Sequence, residues 1–263
     1  MLISARRAIT ILVSIIMVTA CGSDASAPTQ SPATTSSTPA ESPVHFTVQW
    51  VDNGVVDLMS PEATFVRAFV ESQQRAGFTH GHGMAAIEAG GFAGFAHAFN
   101  AATNPDWVGG VAADVGSPLL GTMVFEIVDF RRDDNHYHVI YCDNRSMIGF
   151  KIGEQYSGAR AEPLTSAREF TFGPDPALQP DQQRAPSKDQ KGPARAPVDN
   201  VFGTWVATPD SENMDDATAR EWYPKCHKWA PGTPADWPRD DKPRPTPPPT
   251  LPPSPGWPPG NSA

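Results

Sequence analysis

The stretch TMVFEIVDF-RRDDNH-YHVIYC, residues 122–142, decides the fold. Two runs of β-branched, aliphatic and aromatic residues flank a break made of charge and Asn. Residues two apart on a strand share a face, and a charged break between two such runs reads as a hairpin loop over Arg131–Asn135. Outward from this hairpin, SMIGFKI (146–152) and REFTF (168–172) supply a third and a fourth strand, and VFGTWVAT (201–208) one more. Upstream the period changes. Ser60-Pro61-Glu62 reads as a helix start, with Ser at the cap, Pro at the first helical position and acid in the first turn. Phe65, Ala68, Phe69 and Ser72 then recur at three and four, giving an amphipathic helix to about Ala76. The loop GFTHGHG (77–83) ends it. Met84–Ala89 gives a further helical turn or two, and Phe92, Phe95, Ala96 and Phe99 another apolar stripe with Asn100 as C-cap. VHFTVQWV (44–51), with Asn53-Gly54 behind it, reads as β. Helices followed by an antiparallel meander predict an α+β fold, its N-terminal helices packed on one face of the sheet.

Composition divides the rest. The chain has 263 residues, 29 of them Pro, and a formal charge of −9. Residues 21–43, built from Ser, Thr, Ala and Pro, carry too little apolar surface to offset ordering and predict a disordered tether. The body spans 44–173. Residues 174–199 read as a flexible Pro-rich insert, 200–230 as a Trp- and Cys-bearing segment packed on the body, and 231–263, with 13 Pro, as a disordered tail sampling polyproline II. The acidic balance argues against nucleic acid, which needs a basic footprint, and no run of about 20 apolar residues is present to span a bilayer.

Residues 1–20 have Arg6 and Arg7 before the mostly apolar stretch Ala8–Ala20, an export signal too short to span. The stretch ends Val18-Thr19-Ala20-Cys21, followed by Gly22. This resembles the lipobox of bacterial lipoproteins. The resemblance implies cleavage before Cys21, lipidation of Cys21 and anchoring on the outer face of the cell membrane. Several acyl chains give stable attachment where one gives only marginal binding. Losing Arg6 and Arg7 takes the formal charge to −11, so anionic headgroups should repel the body. The Ala/Pro/Gly/Asp-rich composition resembles that of actinobacterial lipoproteins.

With Cys21 lipidated, Cys142 and Cys226 remain, an even number in an oxidising compartment, and the expectation is a disulfide between them. It would close a loop of about 85 residues, worth on the order of 4–5 kcal/mol in the chain-entropy picture. It would also staple the Trp-rich segment to the sheet.

Candidate chemistry is sparse. No GxSxG, HExxH, CxxC, P-loop or GxGxxG pattern occurs. His80/His82 and His136/His138 form His-x-His pairs, and neutral imidazole ligates zinc or copper, with His97, His227 or a carboxylate as a third ligand. The plainer reading is a surface pair and an exposed loop. Trp205, Trp222 and Trp229 read as packing near the disulfide, whereas Trp257, in SPGWP (254–258), reads as exposed, since its surroundings do not fold. The helices-then-meander order also resembles, at the level of fold, the cone-shaped superfamily of ketosteroid isomerases and polyketide cyclases. That resemblance implies a curved sheet around a pocket, and offers Glu126, Asp129, Tyr137 and Tyr141 as strand residues of unassigned facing. No catalytic residue, metal site or cofactor is assigned from the sequence. The expectation is a lipid-anchored, non-catalytic binding or accessory module with an envelope protein or glycan as partner. The alternatives are a cone-type small-ligand enzyme and a His-based metal-binding lipoprotein.

Overall fold

The computed structural model describes residues 44–111, 117–157, 165–238, 240 and 242–260. The export signal, Cys21 and the tether lie outside the described residues. Strands β1 (Val44–Val51), β2 (Leu119–Asp133), β3 (His136–Ile152), β5 (Thr165–Pro174) and β6 (Trp205–Ala207) form one sheet in the order β1-β2-β3-β5-β6, with β4 (Gln155–Tyr156) folded back on the end of β3. The chain is α+β, as its pattern predicts. The β2–β3 hairpin turns at Asp134, which has φ 50°. The β2–β3 register slips between Thr122 and Val124 and again between Ile127 and Asp129, bulges of the kind that curl a sheet.

Helix α1 (Pro61–Gly77) starts as its residues dictate: the Ser60 hydroxyl accepts from the Ala63 amide at 3.2 Å, with Pro61 in the first turn. It crosses the inner face of the sheet, joined by α2 (Gly83–Gly90) and α3 (Phe95–Phe99), which ends on Asn100 in the left-handed region. The core between these layers is aromatic. Phe65 stacks on Phe172 at 4.6 Å and Phe69 on Phe170 at 4.5 Å. Phe95, Phe99 and Phe202 close in behind, all buried. The buried rings fill the volume between α1 and the sheet with aromatic contacts at separations favourable for ring pairs.

Three expectations are corrected. The sheet is mixed rather than a pure meander. β1 runs parallel to β2, Val44 opposite Leu119 through Val51 opposite Glu126, because the helical segment between them is the crossover that parallel strands require. Residues 137–142 and 146–152 are one strand, β3, running straight through Asp143-Asn144-Arg145. Those polar residues read as a break, yet Asp143 and Asn144 are buried and partnered by distant groups.

The third correction concerns the Pro-rich segments. Residues 174–199 and 242–260 pack on the body: Ser187 donates to the Val201 carbonyl, Asp189 to Met59 and Trp257 to Ala194. Trp257 is 1% exposed, not an exposed tail residue. Proline prevents a ladder of donors, but it keeps its carbonyl as acceptor and arrives with φ already set, which lowers the ordering cost.

Candidate functional site

The outer face of the sheet is covered by residues from the far end of the chain. Cys142 in mid-β3 and Cys226, just after the short helix α4 (Asp216–Trp222), form a disulfide with Cα atoms 5.5 Å apart. Asp215 caps α4 by accepting from the Ala217 and Thr218 amides. Beyond the disulfide the chain lies flat on β3. Asn144 Nδ2 donates to the His227 carbonyl at 2.6 Å, the Ala230 amide to Ser146 Oγ at 3.0 Å, and Trp237 Nε1 to the Ser146 carbonyl at 3.0 Å. Val124, Met147, Ala230 and Trp237 make a second apolar cluster there. A cleft of about 10 Å³, no larger than a water site, lies beside the disulfide and is lined by Glu126, Asn144, Thr165 and His227 among others, with His227 Nε2 3.6 Å from Glu126 Oε2.

From this face the chain wraps around the β1 edge. Pro248 lies over Gly121 and Gly149, where a Cβ would meet it at 2.8 and 2.9 Å, so glycine at both positions allows the close approach. Thr122 Oγ1 donates to the Pro249 carbonyl and accepts from the Leu251 amide, clamping the strap. The Ser254 amide then donates to the Val48 carbonyl and its carbonyl accepts from the Trp50 amide at 2.7 Å, covering the free edge of β1. Past that edge Trp257 enters the inner layer. Its Nε1 donates to Glu71 Oε2 at 2.8 Å, while Trp50 Nε1 donates to Glu71 Oε1 at 2.9 Å. The Arg67 guanidinium sits 4.5 Å over the Trp257 ring and donates to the carbonyls of Leu58, Gln190 and Gly256. Burial pulls Arg67 down to about 10 against the pull of Glu71, and burial pushes the Glu71 carboxyl up against the Arg67 charge and the two indole donors. Through these bonds Arg67 and Glu71 hold β1, the Leu58 loop, Gln190 and the Gly256-Trp257 segment against α1.

A second buried carboxyl lies beside α1. Glu212, on the loop after β6, receives Gln73 Nε2 on Oε2 at 2.5 Å, and its Oε1 is buried without a hydrogen-bond partner. Burial pushes it up to about 7, opposed by the Gln73 bond and the Arg168 charge. Tyr141 is wholly buried nearby, its hydroxyl pushed up by burial and then by the Glu212 charge. Asp143 accepts from Arg145 Nη2 at 2.9 Å and Arg168 Nε at 3.3 Å.

The strand residues offered by the cone resemblance are divided between faces. Tyr137 and Tyr141 point to the helices, Tyr137 stacked on Trp205 at 5.3 Å and donating to Glu62. Glu126 lines the outer-face cleft, and Asp129, paired with Arg131, is opposite Ile140, outside the inner aromatic cluster. The two His-x-His pairs sit at opposite ends of the sheet: His136 and His138 at the hairpin, with His138 bound to Glu169 at 3.1 Å, and His82 bridged to Gly109 beyond the other end. His97 faces Asp175 and His227 faces Glu126. Among the described residues no group of three His, Cys, Asp or Glu gathers as a metal site. Trp205 packs at the hairpin end of the inner layer rather than near the disulfide, while Trp222 is buried close to Cys226.

Sequence reasoning passed over Arg67, Glu71, Glu212 and Trp107. The two α1 charges had a readable signal, since they sit at four-residue spacing on a helix whose neighbours are almost all buried. Glu212 had none. Trp107 is 74% exposed on a short turn, Pro105–Trp107, and its isolation from the Trp cluster hid it. No family model, curated protein or solved structure matches the chain.

Proposed function

We propose that this chain is an exported lipoprotein, anchored through Cys21 on the outer face of the cell membrane, whose body serves as a non-catalytic binding or accessory module for an envelope protein or glycan. The observation that carries the reading is the Cys142–Cys226 disulfide. Disulfides persist in oxidising compartments, which is where the signal ending in Val18-Thr19-Ala20-Cys21 would deliver the protein. The use of Arg67 and Glu71 as an internal clamp supports the non-catalytic part, since these buried polar groups are taken up by bonds to other chain segments. Metabolic labelling with an alkyne fatty acid tests the anchor. Wild type labels and partitions with membranes, and Cys21→Ser does neither. An unlabelled wild-type protein recovered in the soluble fraction would overturn it.

One observation favours a small-ligand reading: a carboxyl pushed up to about 7, with an oxygen unpartnered beside a buried tyrosine, has the protonation behaviour of a general acid or base. A carbon-13 titration of Glu212 tests it. A midpoint near neutrality that moves in Tyr141→Phe supports that chemistry, and a midpoint in the ordinary carboxylate range ends it.

A further inference from the structure

The topology collects exposed apolar side chains at the end of the sheet where the chain enters the body. The register places Val44 opposite Leu119 and Leu119 opposite Phe150, so the start of β1, the start of β2 and the end of β3 share this end. Ile152, two residues further along β3, is 57% exposed. The end of α1 arrives at the same place, because Phe78 packs edge-on to Phe46 and also against Phe150. From Phe78 the contacts lead directly to Trp107: the Gly110 amide donates to the Thr79 and Gly81 carbonyls, and the Gly83 amide to the Val108 carbonyl. The first turn of α2 therefore lies beside the Pro105–Trp107 turn, and it carries exposed Met84. Trp107, Ile152 and Met84 are three of the six large apolar residues exposed among the described residues.

We propose that this end of the body rests on the bilayer that holds the Cys21 lipid, with Trp107 as the residue that enters the headgroup region. The proposal rests on the lipoprotein reading. The occupant is argued from connectivity: residues 1–43 lead into the described body at Val44, on this end. The 23 residues 21–43 span at most about 80 Å when fully extended, so the body stays within reach of the surface. Indole partitions preferentially to the interface, where its ring is apolar and its N–H stays wet. Charge does not drive the contact. Asp106 and Glu154 flank the patch together with Lys151, and the mature chain without Arg6 and Arg7 carries −11, so the contact should be made with zwitterionic headgroups and should not strengthen with anionic lipid. The repulsion expected of an acidic body is screened beyond about 10 Å. It limits which lipids are approached while leaving an apolar end free to touch.

The mature lipoprotein, reconstituted into phosphatidylcholine vesicles containing a lipid spin-labelled near the headgroup, tests this. Wild type should show a quenched fraction of tryptophan emission that is absent from Trp107→Ser, with unchanged circular dichroism in both. Equal quenching in the two proteins overturns the proposal. So does a Trp107-dependent dimer in gel filtration without vesicles, because the patch would then seat a second copy. If mass spectrometry finds no lipid on Cys21, the anchor reading fails separately. The same quenching is then measured on chain coupled through the Cys21 thiol to maleimide-bearing phosphatidylethanolamine, and its loss in Trp107→Ser still decides the contact.

Discussion

The two faces of the sheet are covered in different ways. On the inner face, regular helices lay periodic phenylalanines on alternate residues of β2, β3 and β5, and the contacts are ring on ring. On the outer face, among the described residues, there is no long helix. A disulfide, two tryptophans and a Pro-rich strap cover polar strand residues, and many of the contacts are hydrogen bonds between one side chain and a distant backbone. Apolar periodicity and long-range polar pairing thus bury the two sides of the same strand. Only the first of these leaves a local pattern.

The comparison breaks first on Trp257. Phe69→Ala should cost about 3–5 kcal/mol as a large core deletion, and Trp257→Ala should cost a similar amount if the strap belongs to the core. Urea unfolding measures both, and a cost below about 1 kcal/mol for Trp257 would return the last segment to the status of a tail. Opening the disulfide comes next. Cys142→Ser with Cys226→Ser should lower stability by about 2–5 kcal/mol, and differential alkylation with and without reductant confirms that the pair is oxidised in wild type. Ser146→Ala sharpens the outer-face side: it leaves the Ala230 amide buried and unpaired, for a loss of about 1–3 kcal/mol in the same assay.

The smallest effect is a slope with pH. Glu212 is pushed up to about 7 from an ordinary value of 4.5, so the folded state favours its proton. Its contribution is complete below about pH 4.5 and is lost as pH rises through 7. Melting temperatures should therefore fall between about pH 5 and pH 8, and Glu212→Gln should flatten part of that fall. Glu71, also raised by burial, contributes in the same direction and is unaffected by that substitution.

The hairpin and the capped helix α1 were legible because each is set by neighbours in sequence: a charged turn, and Ser60 before Pro61. The passage of β3 through Asp143–Arg145 was not, because what makes those residues tolerable inside a strand is Arg168, the His227 carbonyl and the Gln74 side chain. The strap was illegible for a related reason. Proline density reports that a segment cannot form its own ladder, and says nothing of whether a β1 edge and two glycines elsewhere are shaped to receive it. The disulfide was legible by parity alone. The Trp257 site was hidden because each of its parts, an arginine and a glutamate on a helix and an indole far downstream, is unremarkable by itself.

The covering of β1 by Ser254 has a consequence for how the protein is made. Residue 49 meets residue 254, so one of the first strands to emerge waits for nearly the whole chain before its free edge is closed. Until then an unpaired strand edge and the empty place of Trp257 are both open, and contacts so distant in sequence form slowly. A chain that crosses a membrane unfolded and N-terminus first would reach its final form only after its last segment has arrived, and a chaperone on the far side would have one well-defined edge to guard in the interval.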